Sequence, residues 1–147
     1  MKLASSSFEN NQNIPITYSC DGDNINPPLE ISDVPENAKS LALIMDDPDA
    51  PAGTFTHWFM WNITTDTKEI LEGDWPEDAE QGLNDRGELG YTGPCPPSGV
   101  HHYHFKLYAL SKKLDIPPNS TKEELEKEIE NAFISKSELV GIYSRQN

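Results

Sequence analysis

Positive charge is scarce in this sequence: Lys and Arg number 11 against 25 Asp and Glu, a formal net charge of −14 over 147 residues. No cluster of basic residues offsets that balance locally. Such a chain repels polyanions at long range, which argues against nucleic acid and anionic membrane surfaces as partners. Long apolar runs are missing as well. The longest purely aliphatic one extends only from Leu41 to Met45, far short of the ~20 residues a membrane-spanning helix needs, so no stable membrane insertion is expected. Met1-Lys2-Leu3-Ala4-Ser5-Ser6-Ser7 has no apolar core of the secretory-signal type, and the expected location is the cytoplasm. Cysteine is limited to Cys20 and Cys95, in neither a CxxC nor a zinc-type spacing. No disulfide framework follows from that, and both are expected as reduced thiols.

What is present describes one ordinary globular domain over residues 1–147, without repeats or low-complexity stretches. Ser40 to Asp46 is a short apolar run bounded by turn signals, read as a strand buried on both faces. His57-Trp58-Phe59-Met60-Trp61-Asn62-Ile63 and His101 to Leu110 are aromatic and β-branched segments of strong β character. From Phe8 to Tyr18 the chain is polar with Ile14, Ile16 and Tyr18 alternating, as in a short edge strand, and Asn26 to Ile31 is extended. Glu69-Ile70-Leu71 is a small apolar fragment, and Pro76 to Gly90 reads as acidic loop. One helix follows Pro117-Pro118, with capping boxes available from Ser120 or Thr121 and an apolar stripe of Leu125, Ile129, Ala132 and Phe133. Ser137 to Ser144 is a closing strand.

Two stiffened loops carry the chemistry. Asp47-Pro48-Asp49-Ala50-Pro51-Ala52-Gly53 precedes the strand that begins at His57. Gly90-Tyr91-Thr92-Gly93-Pro94-Cys95-Pro96-Pro97-Ser98-Gly99-Val100 precedes His101-His102-Tyr103. Prolines fix φ and remove donors, so the amides of Gly93, Cys95, Ser98 and Gly99 are the ones free to bind a small anion. If the 40–46 strand pairs antiparallel with the 57–63 strand, Asp47 and His57 share one edge of the sheet. If the 101–110 strand also runs parallel to 57–63, His101 joins them. Alternation puts His57 on a face with Phe59, Trp61 and Ile63, and His101 on one with Tyr103, Phe105 and Leu107. An anion between the two histidines would accept from each ring in either charge state, with Asp47 fixing a tautomer or itself protonated.

The two loops, with Asp21-Gly22, Pro27-Pro28-Leu29 and Glu138-Leu139-Val140-Gly141, resemble the phosphatidylethanolamine-binding protein family in its short bacterial and archaeal Raf-kinase-inhibitor-like branch. The resemblance covers nearly the whole chain. It implies a mainly β fold: a large antiparallel central sheet, a smaller second sheet and one helix in the C-terminal half. It also implies a non-enzymatic binding or regulatory protein with a rim pocket for a phosphate-like group, and a kinase or protease as partner. Carried over position by position, that pocket comprises Asp47, His57, Gly93, Pro94, His101 and Tyr103, without metal or cofactor. Thr92 and His102 stand where the family often has arginine. The Asp47 to His57 loop is short, with Phe55 as its only aromatic.

The competing reading is a hydrolase using Cys95 with a nearby histidine. It suffers because prolines flank Cys95 and deny it the helix N-terminus that commonly lowers a thiol pKa. His102 and His104 share a strand face but lack further metal ligands in sequence. Asp21-Gly22-Asp23-Asn24 lacks the distal Glu and flanking helices of a calcium loop.

Overall fold

The computed structural model describes residues 1–145. In chain order the strands are β1 (Lys2–Ala4), β2 (Gln12–Asn13), β3 (Leu29–Ser32), β4 (Ser40–Asp47), β5 (Phe55–Ile63), β6 (Glu69–Ile70), β7 (Glu80–Gln81) and β8 (Val100–Leu110). Helix α1 (Lys122–Ala132) and β9 (Phe133–Ser144) complete the chain. A six-stranded sheet has the order β2-β9-β8-β4-β5-β7, and a three-stranded one the order β1-β3-β6. Every pairing is antiparallel except β2 with β9. This is the mainly β architecture anticipated above.

All eight residues of β4 are buried, because the strand lies at the centre of the large sheet with a core on each side. Leu41, Leu43 and Met45 face the smaller sheet and pack with Leu29, Ile31, Trp58 and Phe105. Ala42 and Ile44 face the other way and meet Leu125, Ile129 and Ala132 of the helix. The helix starts in the Thr121 register of its two candidate caps, with the Glu124 amide donating to Thr121 Oγ1 at 3.1 Å.

Three sequence expectations need correction. The Phe8 to Tyr18 segment contributes only the two residues of β2, after which Ile16–Tyr18 turns as a single 3-10 element. Pro15 cannot donate to a ladder, and Ile16 ends up exposed at 47%. Phe133 does not extend the helical stripe; it is the first residue of β9 and 52% exposed. The cysteines are joined: Cys20 and Cys95 form a disulfide across 75 positions, with Cα atoms 5.4 Å apart. Spacing in sequence cannot show this, because the pairing depends on the 90–99 loop folding back on the 17–24 segment.

Candidate functional site

The two strands that carry the histidines flank β4, each antiparallel to it, and therefore run parallel to each other. The start of β5, the end of β4 and the start of β8 meet at one rim of the sheet. Asp47, Phe55, His57, Arg86, His101 and Tyr103 line a cavity of about 450 Å³ there, walled by Ala50 and Pro51 on one side and Gly93, Cys95, Pro96 and Pro97 on the other.

Simple alternation would keep His57 off this rim face, since Phe59 and Trp61 point toward the helix. The register shows why it arrives there. Met45 pairs with Trp58 and Asp46 with Thr56, so His57 is the extra residue of a β-bulge, and a bulge redirects one side chain. Its ring packs 4.7 Å from Phe55 and 5.2 Å from Tyr103, centroid to centroid. A second bulge at Asn62, with φ +56°, restores the apolar alternation so that Met60 and Ile63 both reach the inter-sheet core. The grouping of His57 with Phe59, Trp61 and Ile63 is thus corrected.

Each buried histidine uses Nδ1 on a protein acceptor. His57 Nδ1 lies 2.8 Å from the carbonyl oxygen of Thr92. His101 Nδ1 lies 2.6 Å from Asp47 Oδ2, both side chains nearly excluded from solvent. Asp47 also accepts from the Asp49 amide at 2.8 Å through its other oxygen, so its carboxyl group is held at both oxygens and orients His101. A carbonyl cannot donate, so His57 Nδ1 carries a hydrogen in both charge states and its neutral ring presents a lone pair at Nε2. The expectation that a ring would donate to an anion in either charge state is therefore corrected for His57, whose Nε2 donates only as imidazolium. Burial lowers the His57 pKa below the usual histidine value, outweighing the opposing Thr92 hydrogen bond and the charges of Asp47, Asp46 and Asp85.

Tyr103 is fully buried, and among the described residues its hydroxyl has no well-formed hydrogen-bond partner. The Cys95 amide approaches the oxygen without closing a well-formed bond. Burial, reinforced by Asp47 and Asp49, pushes its pKa far above the ordinary tyrosine value, so the hydroxyl keeps its proton and can donate it. Arg86 was not anticipated as a pocket residue. It sits on the 84–87 turn, where Asn84 Oδ1 accepts from the Arg86 amide at 2.9 Å. Asp85 clamps the turn to the start of β5, exchanging hydrogen bonds with the Thr56 backbone. The available sequence signal was an arginine, one of two in the chain, on a tight turn just before the proline loop.

The donor loop differs in detail from expectation. The Gly93 amide is committed to Asn24 Oδ1 at 2.7 Å, so Gly93 forms wall rather than donor. The Pro94 carbonyl accepts from the Cys20 amide at 3.0 Å, and Pro94 is not among the lining residues. Cys95 does line the pocket, but its sulfur is bonded to that of Cys20 and is no thiolate nucleophile. His102 and His104 point to the opposite face, where Asp49 and Glu138 engage their Nδ1 atoms at 2.7 Å each. Among the described residues no grouping of His, Cys, Asp and Glu could hold a metal ion, and no helix is long and apolar enough to cross a membrane.

Residues 4–144 match the family model for phosphatidylethanolamine-binding protein. The chain is 52% identical to the UPF0098 protein of Pyrococcus abyssi, covering 99% of this chain and 86% of the relative. A crystal structure of a phosphatidylethanolamine-binding protein homologue from Chlamydia trachomatis superimposes with a TM-score of 0.94 at 41% identity, covering 99% of this chain and 97% of that one. YbcL of Escherichia coli superimposes with a TM-score of 0.91 at 30% identity, covering 99% and 98%. With the family model spanning both loops and all the strands that build the rim pocket, this chain belongs to the phosphatidylethanolamine-binding protein family.

Proposed function

We propose that this protein is a non-enzymatic binding protein of the cytoplasm whose rim pocket takes a phosphate-like anionic group, as a phospholipid headgroup or a phosphorylated ligand, and so modulates a kinase or protease partner. The observation that carries the anion reading is the convergence of donors without protein acceptors. Among the described residues the buried Tyr103 hydroxyl has no acceptor and Arg86 forms no ion pair. In a chain of net charge −14, a guanidinium without a carboxylate partner at a pocket lined by two histidines favours an anion arriving from outside. The apolar wall of Phe55, Pro51, Pro96 and Pro97 suits the group that the anion is attached to. The disulfide deprives the hydrolase reading of its nucleophile, and no observation favours it.

Calorimetric titration with inorganic phosphate tests this. Five heavy atoms at a ceiling of about −1.5 kcal/mol each limit the site to roughly −7.5 kcal/mol. Asp47 and the negative chain should leave about −4 kcal/mol, a millimolar constant. Arg86→Gln should weaken binding about fivefold, a charge-assisted hydrogen bond discounted for solvent exposure. Absence of any heat, together with no perturbation of His57 or Tyr103 resonances, would sink the reading.

A further inference from the structure

We infer that the groove beside β6, walled by Leu71 and Trp75, is a docking surface for a protein partner that presents an extended segment with arginine side chains. It shares no lining residue with the rim pocket, so the inference goes beyond the anion reading and does not depend on it.

The sequence prepares this surface. Between Lys68 and Arg86 there is no basic residue, while seven acidic ones fall in the same interval. That interval also leaves Leu71 56% and Trp75 50% exposed. Single apolar residues on a surface are ordinary. Two on one short segment, both lining one cleft, form a contact surface.

The fold shapes the cleft before any partner arrives. Strand β6 is the outer strand of the smaller sheet, and a cavity of about 350 Å³ lies beside it. Buried Ile70 lines it with Leu71, Trp75 and Pro76, and Glu69, Asp74, Glu77 and Asp78 border the same space. The turn that carries Trp75 is pinned. The Gly73 amide donates to the Asn26 carbonyl at 3.0 Å and the Asp74 amide to the Leu71 carbonyl at 3.2 Å, and Asn26 Nδ2 donates to that same Leu71 carbonyl at 3.1 Å. A partner therefore meets a surface that costs little further ordering.

Two observations name the occupant's chemistry. Among the described residues no cation pairs with Glu69, Asp74, Glu77 or Asp78, and no aromatic ring or cation packs on the Trp75 indole. The charge complement of this groove is thus a cation that can also lie flat on a ring. A guanidinium does both, because it stacks on indole while its N–H groups reach carboxylates. The carboxylates do not converge: among the described residues no three acidic or other ligating side chains could hold a metal ion. Spread over positions 69–78, they match cations spaced along a chain rather than one isolated ion. The net charge of −14 draws such a segment in from a distance.

The probe is an end-blocked synthetic peptide of alternating arginine and alanine, compared with its lysine and citrulline counterparts in about 0.1 M salt, where fields beyond ~10 Å are screened. The arginine peptide should shift the indole N–H resonance of Trp75 and leave in place those of Trp58 and Trp61, which are fully buried. The lysine peptide should bind about threefold more weakly and the citrulline peptide at least about 10-fold more weakly. Trp75→Ala should weaken the arginine peptide about fivefold, and Glu77→Gln combined with Asp78→Gln by about as much. Glu36→Gln combined with Glu130→Gln removes the same charge at exposed positions outside the groove and should leave the affinity within about twofold. Every substituted side chain is exposed, so the variants keep the fold. Equal losses in the two double variants would reduce the effect to net charge and overturn the site. So would full affinity in Trp75→Ala, equal binding of the citrulline peptide, or a Trp75 resonance that the arginine peptide does not move. Phosphate binding at the rim pocket is read separately on the parent protein, so either result stands without the other.

Discussion

At Tyr103 a hydroxyl is fully buried with no well-formed hydrogen-bond partner among the described residues, which is a cost in the isolated protein and, in the proposed anion pocket, an asset for binding. Tyr103→Phe should therefore act in opposite directions on stability and on binding. Chemical denaturation should show a variant as stable as the parent or more stable by up to about 1 kcal/mol, since an unsatisfied polar group is removed. Phosphate affinity should fall about 10-fold, since a hydrogen bond to a charged ligand is lost. Equal affinity in the two proteins would remove Tyr103 from the site. His57 makes a second prediction at this scale. Its pKa is lowered in the folded protein, so between that lowered value and the ordinary ~6.5 the unfolded chain binds the extra proton, and stability falls as the pH drops through that window. The His57→Gln variant, compared with the parent across about pH 7 to 5, should lack that part of the slope. Identical slopes in urea titrations would show that His57 is not held neutral.

The disulfide and the bulge in β5 act at the scale of the element. The loop after Gly90 is laced to the 17–24 segment by Tyr91 Oη donating to the Tyr18 carbonyl at 2.7 Å, Gly93 to Asn24, and Cys20 to Pro94, with the Cys20–Cys95 bond among them. A Cβ on Gly93 would be driven into the Tyr18 carbonyl oxygen, so only glycine allows this approach. Closing a loop of 75 positions restricts the unfolded chain by about 4 kcal/mol in the chain-entropy model. Cys20→Ser or full reduction should lower unfolding free energy by that order, measured by urea denaturation with and without a dithiol reductant. A change below about 1 kcal/mol would mean that the hydrogen bonds alone hold the loop. The bulge is the other determinant at this scale. Without it, Phe59 and Trp61 could not face the helix while His57 faces the pocket.

For the molecule as a whole, the two apolar strand segments, the all-buried β4, the single capped helix and the two proline-stiffened loops were legible in the sequence, because each is a local pattern of side chains. Their convergence at one rim was legible as a conditional: it required β4 to lie antiparallel between β5 and β8, as it does. The family was legible because its motifs are contiguous. What tertiary structure alone decided is non-local. The Cys20–Cys95 bond joins segments far apart in the chain and depends on loop docking. Arg86 enters the pocket because Asp85 clamps its turn to Thr56, a contact no periodicity announces. The His57 tautomer depends on which acceptor meets Nδ1, and the Gly93 amide is taken by Asn24. A sequence determines which side chains are apolar, stiff or ionisable and at what period they recur. Which donor meets which acceptor is set by the packing of segments far apart along the chain, and at this pocket that pairing determines the chemistry on offer.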